Sequence, residues 1–100
     1  MTDKNIKIPK EKVAELCKRF HIRRLALFGS VLTNNFKPES DIDVLVEFHA
    51  GFIPGFEFFG IEEELSKIFG RKVDLNTPHF LSRYFRDQVL ADAEDQYVEE

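Results

Sequence analysis

Three acids and a Gly-Ser pair hold the reactive potential of this chain of 100 residues. Asp41 and Asp43 stand two apart in Asp41-Ile42-Asp43-Val44-Leu45-Val46-Glu47-Phe48, a run that alternates like a β-strand. That spacing puts both carboxylates on one strand face, side by side. Left alone they repel each other and raise a pKa. A divalent cation removes that cost, and Mg²⁺ prefers hard oxygen ligands of this kind. Asp74, in Arg71-Lys72-Val73-Asp74-Leu75, is the later acid that falls in a strand-like run. A third carboxylate there could help hold a second metal or take a proton from an attacking hydroxyl. Gly29-Ser30 follows the apolar run Leu25-Ala26-Leu27-Phe28. The glycine lets a phosphate come close to the backbone, and the serine offers a hydroxyl. Metal and donors together would clamp a nucleoside triphosphate for in-line attack at phosphorus, with pyrophosphate leaving.

Periodicity outlines the elements that must position these groups. Val13, Leu16, Cys17 and Phe20 fall on one stripe of a helix that opens at Pro9. Leu25 to Phe28 reads as a strand buried on both faces. Val31 to Phe36 can make about a turn and a half of helix with Ser30 as N-cap. Lys37 to Ser40 is a loop around Pro38. In the Asp41 to Phe48 strand, Ile42, Val44, Val46 and Phe48 share the core face, so the acids look away from the core. Glu47 is read as a surface residue. Phe58, Ile61, Leu65, Ile68 and Phe69 mark a second amphipathic helix, closed by Gly70. A strand over 72–76 follows. From His79 a last helix is expected, with Leu81, Phe85, Val89, Ala93 and Tyr97 on one stripe. His21, His49 and His79 show no ligand spacing. Phe52, Phe56, Phe58 and Phe59 are read mostly as core, with room for a partner-binding or adenine-stacking surface.

Bulk properties set the outer limits. The length suits a single domain, expected over 9–100 after a flexible lead-in at 1–8. A 43% hydrophobic fraction and eleven Phe supply one modest core. Cys17 has no partner for an internal disulfide, and no signal peptide or membrane span is visible. A cytoplasmic location is the expectation. Residues 1–86 carry all fourteen Lys and Arg against twelve acids, whereas 87–100 carry six acids and no base. An acidic end of this kind repels nucleic acid, so no direct nucleic-acid binding is expected, and it would suit a basic protein partner.

Gly29-Ser30, ten residues, then Asp41-x-Asp43 resembles the signature of the polymerase-β-like nucleotidyltransferase superfamily. The surrounding text, Leu27 to Leu32, Ser40 to Phe48 and Gly70 to Leu75, is similar to the minimal nucleotidyltransferase (MNT) proteins, and the likeness runs from about Leu25 to Tyr97. The resemblance implies an α/β (α+β) polymerase-β-like core, a small mixed β-sheet flanked by about four helices. It further implies the antitoxin of a type VII HEPN/MNT toxin-antitoxin system. Such a protein is an adenylyltransferase that moves AMP from ATP to a tyrosine of the cognate HEPN-domain ribonuclease toxin, with Mg²⁺ as its metal. By the same resemblance Gly29 and Ser30 hold the triphosphate, Asp41 and Asp43 bind Mg²⁺, and Asp74 is the third carboxylate, which also activates the acceptor. The family's Val-Asp-Leu-Val-Thr run is here Val73-Asp74-Leu75-Asn76-Thr77, a departure expected to be harmless. Two other readings stand beside this one. The first is an antitoxin that neutralises by binding alone, with the acidic segment 87–100 docking on basic surface. The second is nucleotidyl transfer to a small molecule, for which the chain offers no length for an acceptor-binding domain.

Overall fold

The computed structural model describes residues 6–99. Helix α1 (Lys10–Arg19) buries Val13, Leu16 and Cys17, the stripe that the spacing marks. It stops at Phe20, and His21 takes the left-handed φ of +61° that lets the chain reverse into strand β1 (Ile22–Phe28). The expected helix after β1 is shorter than its sequence suggests: one 3₁₀ turn, Gly29–Leu32. Strand β2 (Ile42–Phe48), helix α2 (Glu57–Phe69) and strand β3 (Val73–Asn76) follow. Gly70 closes α2 at φ +71° as a left-handed cap.

The end of the chain departs most from expectation. In place of one helix from His79, the structure has a 3₁₀ turn (Pro78–Phe80), helix α3 (Arg83–Asp92) and a further strand, β4 (Glu94–Val98). Among the described residues there are therefore three α-helices, rather than about four. Strand β4 forms because β1 offers it an antiparallel edge and a guanidinium: Arg24 Nε donates to Asp95 Oδ1 at 2.6 Å. Tertiary pairing has overridden a helix-favouring local sequence.

The sheet order is β3-β2-β1-β4. β1 runs antiparallel to both neighbours, and β2 and β3 are parallel, joined through α2 as a parallel pair requires. Helices α1 and α2 share a core with one face of this mixed sheet. Leu16, Ile22, Leu25, Leu27, Val44, Ile61 and Leu65 are fully buried there. Removing that apolar surface from water is the main force holding the fold together. Ile6 and Ile8 also pack on this core, so the lead-in expected at 1–8 is docked from Ile6 onward. Its first five positions lie outside the described residues.

The opposite face is read in rungs across the register. Phe28, Asp43 and Asp74 form one rung, and Ala26, Leu45 and Asn76 the next. Arg24 and Glu47 form the third. Ala26 and Leu45 are buried, so an apolar bar separates an acidic end from an ion-paired end. At the ion-paired end Glu47 accepts from Arg23 at 2.7 Å and from Arg24 at 2.8 Å, which makes it a structural partner rather than a free surface charge. Strand β3 lies at the sheet's border, and α2 covers its outward amides. Ser66 Oγ accepts from Val73 N–H at 3.0 Å, and Glu62 Oε2 from Leu75 N–H at 2.8 Å. Among the described residues no helix is long and apolar enough to cross a membrane.

Candidate active site

The acidic rung is built by backbone geometry. β2 and β3 run parallel with Asp43 opposite Asp74, so two carboxylates leave the same face of neighbouring strands. Asp41 is the last residue before β2, held close to the same place by the Ile42 N–H, which donates to Lys72 O at 2.9 Å. The three expected acids are thus brought together at one end of the sheet, though Asp41 sits just outside the strand. Their crowding shows in the electrostatics. Asp43 is pushed up from the ordinary 3.8 to about 6, first by partial burial, then by the negative charges of Asp74 and Asp41. Asp41 faces outward, with Oδ2 4.0 Å from Lys72 Nζ. Among the described residues no three acid, histidine or cysteine side chains converge tightly enough to enclose a metal ion in these rotamers.

Gly29 closes over this cluster. Its φ is +79°, a conformation glycine adopts without strain, and a Cβ at this position would run into the Asp43 carboxylate. The close approach of turn to carboxylate requires the glycine on both counts. Ser30 follows within the 3₁₀ turn and is not its N-cap. The turn has no side-chain cap, and it ends where the Thr33 amide and hydroxyl both donate to Ser30 O, at 2.9 and 2.8 Å.

Two clefts among the described residues bear on the site. One of about 510 Å³ touches the site directly, with Phe28, Gly29 and Leu32 on one wall and Gln88, Val89, Asp92 and Glu94 on the other. Its second wall comes from α3 and β4. The one-helix reading of the chain's end therefore missed it, although the basic pair Arg23-Arg24 facing an acid-rich run was a signal for β4. The larger cleft, about 670 Å³, lies at the far end of β2 and is lined by rings and aliphatics including Phe52, Ile53, Phe58 and Phe80. Phe56 and Phe59, read as core, are 92% and 66% exposed beside it. Size favours the larger cleft, but of the two it is the smaller that is lined by Gly29.

The remaining expectations divide. Arg71 donates from Nη1 to the carbonyls of Lys37 and Pro38, both at 3.0 Å. The acidic segment, as far as residue 99, is not a free tail. Asp95 is held by Arg24, and Glu99 accepts from Tyr97 Oη and pairs with His49 Nε2, both at 2.8 Å.

The family model described as nucleotidyltransferase domain matches residues 10–96. A relative from Methanocaldococcus jannaschii, assigned as a protein adenylyltransferase, is 32% identical over 91 residues, covering 91% of this chain and 97% of that one. A solved toxin-antitoxin complex with AMP-PNP contains a chain that superposes with a TM-score of 0.73 at 20% identity, over 93% of this chain and 76% of its own. The complex of a tri-AMPylated Shewanella oneidensis HEPN toxin with MNT antitoxin contains another, with a TM-score of 0.64 at 21% identity, over 98% and 73%. At these identities the two structures show a shared fold.

Proposed function

This chain belongs to the nucleotidyltransferase domain family, and from that membership we propose that it is the antitoxin of a HEPN/MNT pair, a protein adenylyltransferase that moves AMP from ATP to a tyrosine of its HEPN-domain toxin. One observation carries the reading. Asp43 is crowded by Asp74 and Asp41 directly beneath a glycine whose Cβ would strike it. A like-charge cluster with a backbone approach reserved above it costs stability, and binding of cation and phosphate makes use of it.

The donor set fits Mg²⁺ in kind, since carboxylate oxygens are its preferred protein ligands and a second positive charge relieves the crowding. Asp41 and Asp43 would hold the ion, with Asp74 as a third ligand, after Asp41 turns in from Lys72. The bound ion supplies neutralisation of the triphosphate and of the departing pyrophosphate. The chain's own groups do the rest. Gly29 and Ser30 admit the triphosphate to the backbone, and the cleft between the 3₁₀ turn and α3 takes the nucleoside end. Asp74 accepts the proton of the incoming tyrosine hydroxyl. The phenolic oxygen then bonds to the α-phosphorus as the bond to the β-phosphate bridge breaks and pyrophosphate leaves. The reaction is placed in the cytoplasm, where ATP and the toxin are available.

Neutralisation by binding alone has fewer free acids to dock with than the segment's composition suggests, because Asp95 and Glu99 are paired within the chain. The deciding experiment incubates the protein with labelled ATP, Mg²⁺ and the HEPN protein encoded beside it. Label appears on the toxin, and the Asp41→Asn, Asp43→Asn double variant abolishes it. Labelling that survives the double change sinks the proposed site.

A further inference from the structure

Resting on the nucleotidyl-transfer reading, we propose that Arg71 is a positioning residue, the strut that fixes the segment between Ser30 and Asp41 and so keeps the Gly29-Ser30 turn, Asp41 and Asp74 in one geometry. Between Leu32 and Ile42 the chain has neither helix nor strand. Several of its hydrogen bonds close it onto itself. Lys37 N–H donates to Ser40 Oγ at 3.0 Å, Ser40 N–H donates to Lys37 O at 2.9 Å, and Asn35 N–H donates to Thr33 Oγ1 at 3.1 Å.

Arg71 ties this segment to the body of the protein. One guanidinium nitrogen donates to the carbonyls of both Lys37 and Pro38, and the guanidinium carbon lies 4.6 Å from the centre of the Phe36 ring. Phe36 in turn packs on the core. A flat guanidinium can donate in its plane while stacking on a ring, and an ammonium on a flexible stem cannot do both. The base of the strut is itself fixed. Gly70 turns the chain out of α2, and Arg71 N–H donates to Ser66 O at 3.1 Å. One residue on, Lys72 O accepts the Ile42 amide, so the approaches to β2 and β3 are joined at two adjacent points. Arg71 stands three residues before Asp74, and the carbonyls it grips stand three and four before Asp41. It touches no reacting atom. Its effect is to stop the loop from carrying Asp41 away from Asp43 and Asp74 when the triphosphate's charge arrives.

The test compares wild type with Arg71→Lys, which keeps the charge, and Arg71→Gln, which keeps one donor group. In both variants the amides of Lys37 and Ser40 exchange with solvent at least about tenfold faster, while those of Val44 and Leu65 keep wild-type protection. Mn²⁺ affinity, read by electron paramagnetic resonance without turnover, falls about tenfold to a hundredfold, the usual cost of losing support behind metal ligands. KM for ATP rises in step, with kcat within a few-fold of wild type. Unchanged loop exchange with unchanged Mn²⁺ affinity overturns the proposal. So does exchange that accelerates equally in core and loop, which would mean that Arg71 serves only global stability. Should the wild type bind Mn²⁺ yet transfer no AMP, the transferase reading fails, and loop exchange and Mn²⁺ affinity alone decide the role of Arg71.

Discussion

Replacing Asp43 with Asn should make the metal-free protein more stable at neutral pH, the reverse of what most substitutions at a half-buried position do. Burial and the charges of Asp74 and Asp41 raise the Asp43 carboxyl from 3.8 to about 6. The folded protein therefore holds this proton more tightly than the unfolded chain. Its stabilising contribution is fully present below about pH 3.8 and is lost as pH climbs through about 6. At about 1.4 kcal/mol for each factor of ten, the largest effect is about 3 kcal/mol, and solvent screening at a partly exposed carboxylate brings the expectation to about 1 kcal/mol. Asparagine has nearly the shape of the protonated acid and no charge to repel. In EDTA at pH 7.5 the Asp43→Asn variant should unfold at a urea midpoint higher by roughly 0.5–1 M, for a slope of about 1–2 kcal/mol per molar. At pH 3.5 the two proteins should coincide. Adding Mg²⁺ at pH 7.5 should raise the wild-type midpoint by mass action and move the variant far less. Circular dichroism reads all three conditions, since the chain has no Trp. A variant that is destabilised at pH 7.5, or stabilised equally at both pH values, refutes the claim that like charges are crowded at Asp43.

Gly29→Ala places a Cβ against the Asp43 carboxylate at a φ of +79°, so it should cost about 1–3 kcal/mol of stability and abolish AMP transfer, whereas Ser30→Ala should leave the unfolding free energy within about 0.5 kcal/mol of wild type and weaken only ATP binding. Equal activity of Gly29→Ala and wild type would show that the turn need not approach Asp43. Glu62→Ala removes the acceptor for Leu75 N–H and should lower stability by about 1–2 kcal/mol, with faster amide exchange concentrated in β3, and Glu62→Gln should restore most of it through its own carbonyl. A Gln variant as unstable as Ala would show that the charge, and not the hydrogen bond, is what matters.

Side-chain period made most of this fold legible. The stripe Val13, Leu16, Cys17 marked α1, Gly70 marked the end of α2, and the alternation of Ile42, Val44 and Val46 gave both the strand and the facing of Asp43. Asp74 was legible as a strand acid, and the parallel register that sets it opposite Asp43 is a fact of pairing that no single strand encodes. β4 was hidden for the same reason. Ala91-Asp92-Ala93-Glu94-Asp95 prefers helix locally, and only pairing with β1, some seventy residues away, makes Asp95 part of a strand. The roles of Arg71 and Glu62 were hidden differently. Each side chain satisfies backbone groups, and backbone groups leave no mark on the pattern of apolar and polar residues.

The covering of β3 by Ser66 and Glu62 also bears on self-association. A border strand with free amides is a template on which a second chain can lay a strand of its own, the first step toward fibres and swapped dimers. Here the outward amides of Val73 and Leu75 are already engaged, so the sheet has no room to grow on the side that bears Asp74. Growth by strand addition is left to β4, the strand at the sheet's other border. The border nearest the carboxylates is thus closed to strand addition, and an incoming protein must meet it side chain first.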